Sequence, residues 1–140
     1  RQRQMCIRDR VISVFGEALL RLNDIDKGLE YLEKAYELDP IPQGQTTSDR
    51  RLAALFLGYF LKNDFMHCQK LNEDIVNIDI RTWLLNSFMC HKKEINYQEY
   101  SWFKAGVNQY QNPDWDMEVD RFHLNDDSLK TRLIDFAKTI

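Results

Sequence analysis

The sequence predicts an all-α fold of antiparallel helical hairpins stacked on one another, and three observations predict it. Residues 23 to 40 have an echo forty positions later: Asn23-Asp24-Ile25 returns as Asn63-Asp64-Phe65, while Phe15, Ala18, Leu19, Gly28 and Ala35 match Leu55, Gly58, Tyr59, Cys68 and Ile75 at the same offset. Apolar residues recur at three- and four-residue intervals through most of the chain, which is the helical period. Short polar or proline-bearing breaks separate these stretches. A fixed offset between matching segments marks a repeat architecture, in which each small unit buries its apolar face against the next.

Composition bounds the rest. A chain of 140 residues with 44% hydrophobic content has enough apolar surface for one domain's core. The net charge is -3 and the pI near 5.6, with both signs mixed along the chain. No basic stripe suggests nucleic acid, and no polybasic cluster suggests an anionic membrane. The apolar runs are far short of the ~20 residues that cross a bilayer, and no charged-then-apolar signal segment opens the chain. A cytoplasmic setting is expected. Cys6, Cys68 and Cys90 are an odd and sparse set, which favours reduced thiols over a disulfide scaffold.

Taken in order, residues 1–10 carry four arginines without apolar periodicity. They read as a non-native or disordered leader and are set aside from fold reasoning. Val11, Phe15, Ala18 and Leu22 form one helical stripe, and Ile25, Leu29, Leu32 and Tyr36 a second. Asn23-Asp24 interrupts them, and Asp24 is placed to cap the helix starting at Ile25. Gly16, Ala18, Gly28 and Ala35 are small enough for two helix backbones to approach closely. Pro40 ends the second helix. Ile41 to Asp49 is a polar, Pro/Gly-bearing loop with Ser48 or Asp49 as the next cap. A fifth helix carries Trp83, Leu84, Ser87, Phe88 and His91. Asn96-Tyr97-Gln98-Glu99 reads as a capping box for a sixth with Tyr100, Phe103 and Val107. Asn112-Pro113 is a break, with proline favoured at a first helical position. Trp115, Val119 and Phe122 make a short helix, and Asp126 or Asp127 caps a last one through Leu129, Leu133, Phe136 and Ile140. Residues 112–140 are expected to close the end of the stack, since a row of like hairpins leaves an apolar end to cover.

Gly16-Glu-Ala-Leu-Leu20, Asn23-Asp24 and Gly28-Leu-Glu-Tyr-Leu-Glu-Lys-Ala-Tyr-Glu-Leu-Asp-Pro40 resemble a tetratricopeptide repeat. The likeness covers about residues 9–42 and, more weakly, 49–80, where Phe56 and Ile80 depart from the usual glycine and proline; residues 81–111 would be a divergent third unit. The family period is 34 residues, so the loop after Pro40 supplies the surplus. The segment from Phe122 to Lys138 loosely resembles the end of the repeat regions that close some bacterial adenylate cyclases and winged-helix regulators. The first resemblance implies a right-handed solenoid that binds a protein or peptide partner. The second implies a regulatory or sensor region of a larger signalling protein.

By the same resemblance the first helix of each hairpin lines a concave groove. That places Ser13, Glu17, Leu20 and Arg21 with Arg50, Ala53, Leu57 and Phe60 as the partner-binding face. Its apolar half suits an amphipathic helix or an extended apolar peptide; Glu17 and Ala53 do not suit a grip on a terminal carboxylate. Self-association through an uncovered end of the stack is left open.

Chemistry is sparse. His67-Cys68 and Cys90-His91 carry zinc-ligating residue types, but adjacent helical residues point about 100° apart. Cys68 also falls at the small-residue position of Gly28, so packing is favoured over metal or nucleophilic roles. The acidic pairs Asp114/Asp116 and Asp126/Asp127 stand at helix starts, where the helix dipole favours negative charge. His123 reads as a surface or capping residue. No phosphate-binding glycine motif occurs. Neither catalysis, cofactor nor metal is expected. The aromatic cluster Tyr97, Tyr100, Trp102, Phe103, Tyr110 and Trp115 has the spacing of a helical core rather than of a stacking platform.

Overall fold

The computed structural model describes residues 2–38, 50–73 and 79–140, with the backbone alone for 2–10 and 50. Among the described residues there are eight α-helices, one short 3-10 turn and no strand. None of these helices is long and apolar enough to cross a membrane. The chain divides into two compact units, Arg1–Asn77 and Ile78–Ile140.

The first unit holds α1 (Gln2–Arg21), α2 (Ile25–Leu38), α3 (Arg50–Leu61) and α4 (Phe65–Glu73). The break between α1 and α2 is a single left-handed residue, Asn23, with φ 65°. Asn23 N–H donates to Leu20 C=O at 3.0 Å and Asp24 N–H to Leu19 C=O at 2.9 Å, the pair of bonds that ends a helix in a Schellman motif. Asp24 C=O then accepts from Gly28 N–H at 2.9 Å, the first bond of α2. The same construction recurs forty residues on. Asn63 has φ 62°, its N–H reaches Phe60 C=O at 3.0 Å, and Asp64 N–H reaches Tyr59 C=O at 2.9 Å. The Asp64 carboxylate also accepts from His67 N–H at 3.2 Å, capping α4 as the sequence expects of such an aspartate.

Tight reversal requires close helices. A Cβ on Gly28 would stand 2.9 Å from Gly16 C=O, and one on Gly16 would stand 2.8 Å from Leu32. The counterparts of Gly16 and Gly28 are Phe56 and Cys68, both wholly buried, with the Cys68 thiol 3.8 Å from Phe56 C=O. The repeat is thus preserved at its turns and relaxed at its contact. α2 packs on α3: Leu29 covers Gly58, Tyr59 O–H donates to Glu33 at 2.8 Å, and Lys62 pairs with Asp26 at 3.0 Å.

Two expectations for α1 are corrected. Its helix begins at Gln2, upstream of the Val11 start that periodicity gives. Its buried face is Ser13, Gly16 and Leu20, whereas Val11, Phe15, Ala18 and Leu22 are exposed. The inner face of a glycine-spaced hairpin has no room for Phe15. Pro40, the loop to Asp49, and Ile75 lie outside the described residues.

The second unit holds α5 (Ile80–Lys92), a 3-10 turn (Tyr97–Glu99), α6 (Ser101–Gln109), α7 (Trp115–Asp120) and α8 (Asp127–Ala137). Asp79 caps α5 by accepting from Thr82 N–H at 2.9 Å, and Asp126 caps α8 through Leu129 N–H at 3.1 Å. α5 is the centre of this unit, with every residue from Thr82 to Cys90 buried. It ends in a third Schellman turn at Glu94, φ 58°, with Ile95 N–H on Cys90 C=O at 2.9 Å. Ile95 has no carboxylate with which to start the next helix. The expected capping box does not form: Asn96 makes no side-chain cap bond, residues 97–99 coil into a 3-10 turn, and α6 starts only at Ser101. Pro113 likewise precedes the cap residue Asp114 instead of opening the helix, because Asn112 just before it takes φ 51°.

Left-handed backbone costs about 1–2 kcal/mol for a residue with a Cβ, while glycine's extra chain entropy returns roughly 0.5–1 kcal/mol. Glu94→Gly is therefore expected to stabilise the second unit by up to about 1 kcal/mol, and Asn63→Ala to destabilise the first by a similar amount. All three tryptophans lie in the second unit, so urea titration followed by fluorescence reads the Glu94 variant and circular dichroism the Asn63 variant.

Candidate functional site

The sequence places the binding face on α1 and α3, and the structure brings those helices together, since a Cβ on Gly58 would stand 3.6 Å from Leu20. Their candidate residues divide. Ser13, Leu20 and Phe60 are buried, which gives their surface to packing; Glu17, Ala53 and Leu57 are half-buried and Arg21 is exposed. The Arg50 side chain lies outside the described residues. What remains of that face is a narrow, mixed strip.

A better-formed concavity lies in the second unit, built from Trp83 outward. Trp83 sits in the first turn of α5, 2% exposed, and its indole N–H donates to Phe103 C=O at 3.2 Å. Its ring stacks on Phe103 at 5.1 Å and on Trp115 at 6.1 Å, with Tyr110 tilted against it at 6.2 Å. α6 approaches this closely because residue 106 is glycine: a Cβ there would land on the indole ring. The turn through Asn112 and Pro113 returns the chain so that Trp115 closes the other side. On the opposite flank of α5, Phe88 meets Phe136 of α8 at 5.4 Å, and Tyr97 meets Phe103 edge-on at 4.9 Å.

These rings wall two adjoining clefts. One, of about 560 Å³, has Trp83, Val107, Tyr110 and Trp115 as walls, with Gln111, Asn112 and Lys138 at its rim. The other, of about 550 Å³, has Tyr97, Phe103 and Phe136 within and His91, Glu94 and Gln98 at its edge. Both are lined by Val107 and Ile140, which are 46% and 42% exposed. Both volumes fall in the ~300–1,000 Å³ range of ligand-receiving sites; the first cleft presents more polar than apolar surface and the second more apolar than polar. Charge is confined to the rim, where Lys138 pairs with Asp116 at 3.6 Å. Burial, then the nearby Asp79 carboxylate, raises the Tyr110 hydroxyl pKa, so it stays a neutral donor.

Sequence reasoning named several of these aromatics but read them as core, which holds for Tyr97 and Phe103, while Trp102 and Tyr110 are half-buried and Tyr100 is exposed. It missed Val107, Lys138 and Ile140 as lining. The available signal was Gly106 amid aromatics of three elements, a sign of backbone packed directly against a ring.

The reactive residue types are otherwise engaged. His67 stacks on Tyr59 at 4.6 Å and bonds Asp64 at 2.6 Å. His91 is exposed beside Phe136. Burial pushes the Cys68 thiol up to about 12, with the Asp64 charge adding to it, and pushes Cys90 up to about 11. Among the described residues no three metal-ligating groups gather. The chain matches no family model, no curated protein and no solved structure.

Two outcomes follow from this packing. Gly106→Ala should lower the stability of the second unit by about 1–3 kcal/mol, as overpacking does, seen as an earlier urea midpoint in tryptophan fluorescence. Because native Cys68 holds its proton to about 12 and an unfolded thiol releases it near 9.0, its contribution is complete below about 9 and is lost as pH rises through that interval. Cys68→Ala should therefore show a smaller drop in urea midpoint between pH 8 and pH 10 than the parent chain.

Proposed function

We propose that this chain is a protein-interaction module of the tetratricopeptide kind, a right-handed stack of helical hairpins without catalytic activity. Its recognition site is the paired cleft over Trp83, and its ligand is an extended peptide carrying bulky apolar side chains. The observation that carries this reading is that the two clefts share Val107 and Ile140, so adjacent hollows can each take one side chain of a continuous peptide.

The chemistry supports recognition over turnover. Apolar and aromatic walls release water on contact and provide the ring surfaces on which interface energy concentrates. Rim amides from Gln111 and Asn112 are suited to peptide C=O and N–H groups. A catalytic site would need a titratable group facing the hollow with its proton affinity tuned toward neutrality. Here the thiols are buried and protonated, Asp64, Asp79, Asp114 and Asp126 are engaged in capping helices, and His91, Glu94 and Lys138 stand at the cleft edges. Hairpins closed by matching Asn-Asp turns, together with the Gly16 and Gly28 contact, are what supports the repeat-family reading.

Selection of a random peptide library on the full chain tests this reading. The enriched peptides are expected to carry two bulky apolar residues and to shift tryptophan fluorescence on binding. Val107→Asp should weaken them on the order of tenfold or more, the cost of an unpaired charge in an apolar contact, with the helical content unchanged. Peptides that bind Val107→Asp as tightly as the parent chain would place recognition elsewhere.

A further inference from the structure

Glu94 stands at a position where the fold favours another kind of residue. Among the described residues five non-glycine residues take positive φ, and four of them are Asn23, Asn63, Asn112 and His123, types that tolerate the left-handed region. The fifth is Glu94, at φ 58°, which lacks the short polar side chain that offsets crowding at the Cβ. Its N–H closes the end of α5 on His91 C=O at 3.0 Å, which places an acidic residue at the negative end of that helix. His91 and Lys92 of the last turn suit that end, and Glu94 does not. Glycine here would remove the strain and the repulsion together.

The Glu94 side chain lines the second cleft. It borders the hollow with His91 and Gln98, beside the rings of Tyr97, Phe103 and Phe136. It is exposed, and among the described residues its carboxylate makes no hydrogen bond or ion pair. The two lysines before it do not neutralise the hollow: Lys92 lies over the Phe88 ring at 5.6 Å, and neither Lys92 nor Lys93 borders the cleft. The first cleft differs, because its charged side chain, Lys138, is already paired with Asp116 at 3.6 Å.

A peptide laid across both hollows therefore meets an unneutralised negative charge at the second and a neutralised pair at the first. Backbone strain and an unpartnered charge meeting at one residue of a cleft's edge point to function, since neither helps the fold. We infer that Glu94 sets the specificity of this site: it receives a lysine or arginine flanking the apolar side chain seated in the second cleft, and so fixes the direction in which the peptide lies. The inference rests on the reading of the paired cleft as a peptide site. An ion pair at so exposed an edge adds little affinity. It discriminates well between partners, because an acidic side chain in the same place is repelled.

Selection on the full chain from two random peptide libraries, one without lysine and arginine and one without aspartate and glutamate, tests the assignment. Peptides with bulky apolar residues are expected to emerge from the second library ahead of the first, with a lysine or arginine at a fixed spacing from one of them. Glu94→Gln should weaken these peptides by about two- to fivefold at low salt, and the difference should close as salt is raised. Asp135→Asn makes the same change of net charge at an exposed α8 residue that lines neither cleft, and should leave binding unchanged. Glu94→Lys should reverse the order of the two libraries. Glu94→Gly should bind as weakly as Glu94→Gln while unfolding at higher urea, which separates a lost charge from a damaged fold. Enriched apolar peptides without a basic residue, or equal loss of binding in Glu94→Gln and Asp135→Asn, would overturn the role of Glu94 and leave the peptide reading standing. A Glu94→Gln chain that binds as tightly as the parent would do the same. If neither library yields apolar peptides, both readings fall.

Discussion

Each hairpin depends on a chain reversal made by one left-handed residue. At Asn23 and Asn63 the backbone takes positive φ, the N–H groups of the turn close the final carbonyls of one helix, and the aspartate that follows starts the next. Two helix ends, each with unsatisfied polar groups, are settled within three residues. So short a turn keeps the two helices adjacent, and in the first hairpin they cross with bare backbone in contact. Gly16 and Gly28 supply it; the core of α2, with Leu29, Leu32 and Ala35 buried, follows from it.

Departures from this pattern give the molecule its differences. In the second hairpin Phe56 and Cys68 replace the two glycines, so side chains fill the crossing and the thiol becomes a small buried hydrophobe. In the third Schellman turn, isoleucine replaces aspartate at position 95. The helix that should start there is delayed by a 3-10 turn, and α6 comes to α5 through Gly106 and the Trp83 indole. The cleft follows from that detour: near-parallel rings from α5, α6 and α7 stack about Trp83 and leave hollows beside them.

The clefts border a small residue, Gly106, which brings the backbone of α6 against the Trp83 indole. Small residues bring backbones near and leave large neighbours standing proud, which generates concave and convex apolar relief without any charged group. Recognition by shape and desolvation suits such relief.

Much of this was legible in the sequence because it is local. The forty-residue echo, the Asn-Asp turns, the acids Asp114 and Asp126 at helix starts, and the packing role of Cys68 all depend on bonds within a few residues, or on equivalence between repeats. The aromatic set around Trp115 was visible too, though not the hollow it walls, since lining by Val107, Lys138 and Ile140 requires three elements to be placed at once.

The sequence by itself determined that the chain is helical, where it reverses, and that its first two hairpins share one design. Only tertiary structure decided which side of α1 turns inward, because both sides are apolar at helical spacing and periodicity is satisfied by either. The glycine crossing settles that choice: the close approach admits Ser13, Gly16 and Leu20 and excludes the bulk of Phe15. The same physics decided the failed capping box at Asn96 and the place of Pro113 outside its helix, where a neighbouring left-handed turn overrode a local preference worth about 1 kcal/mol.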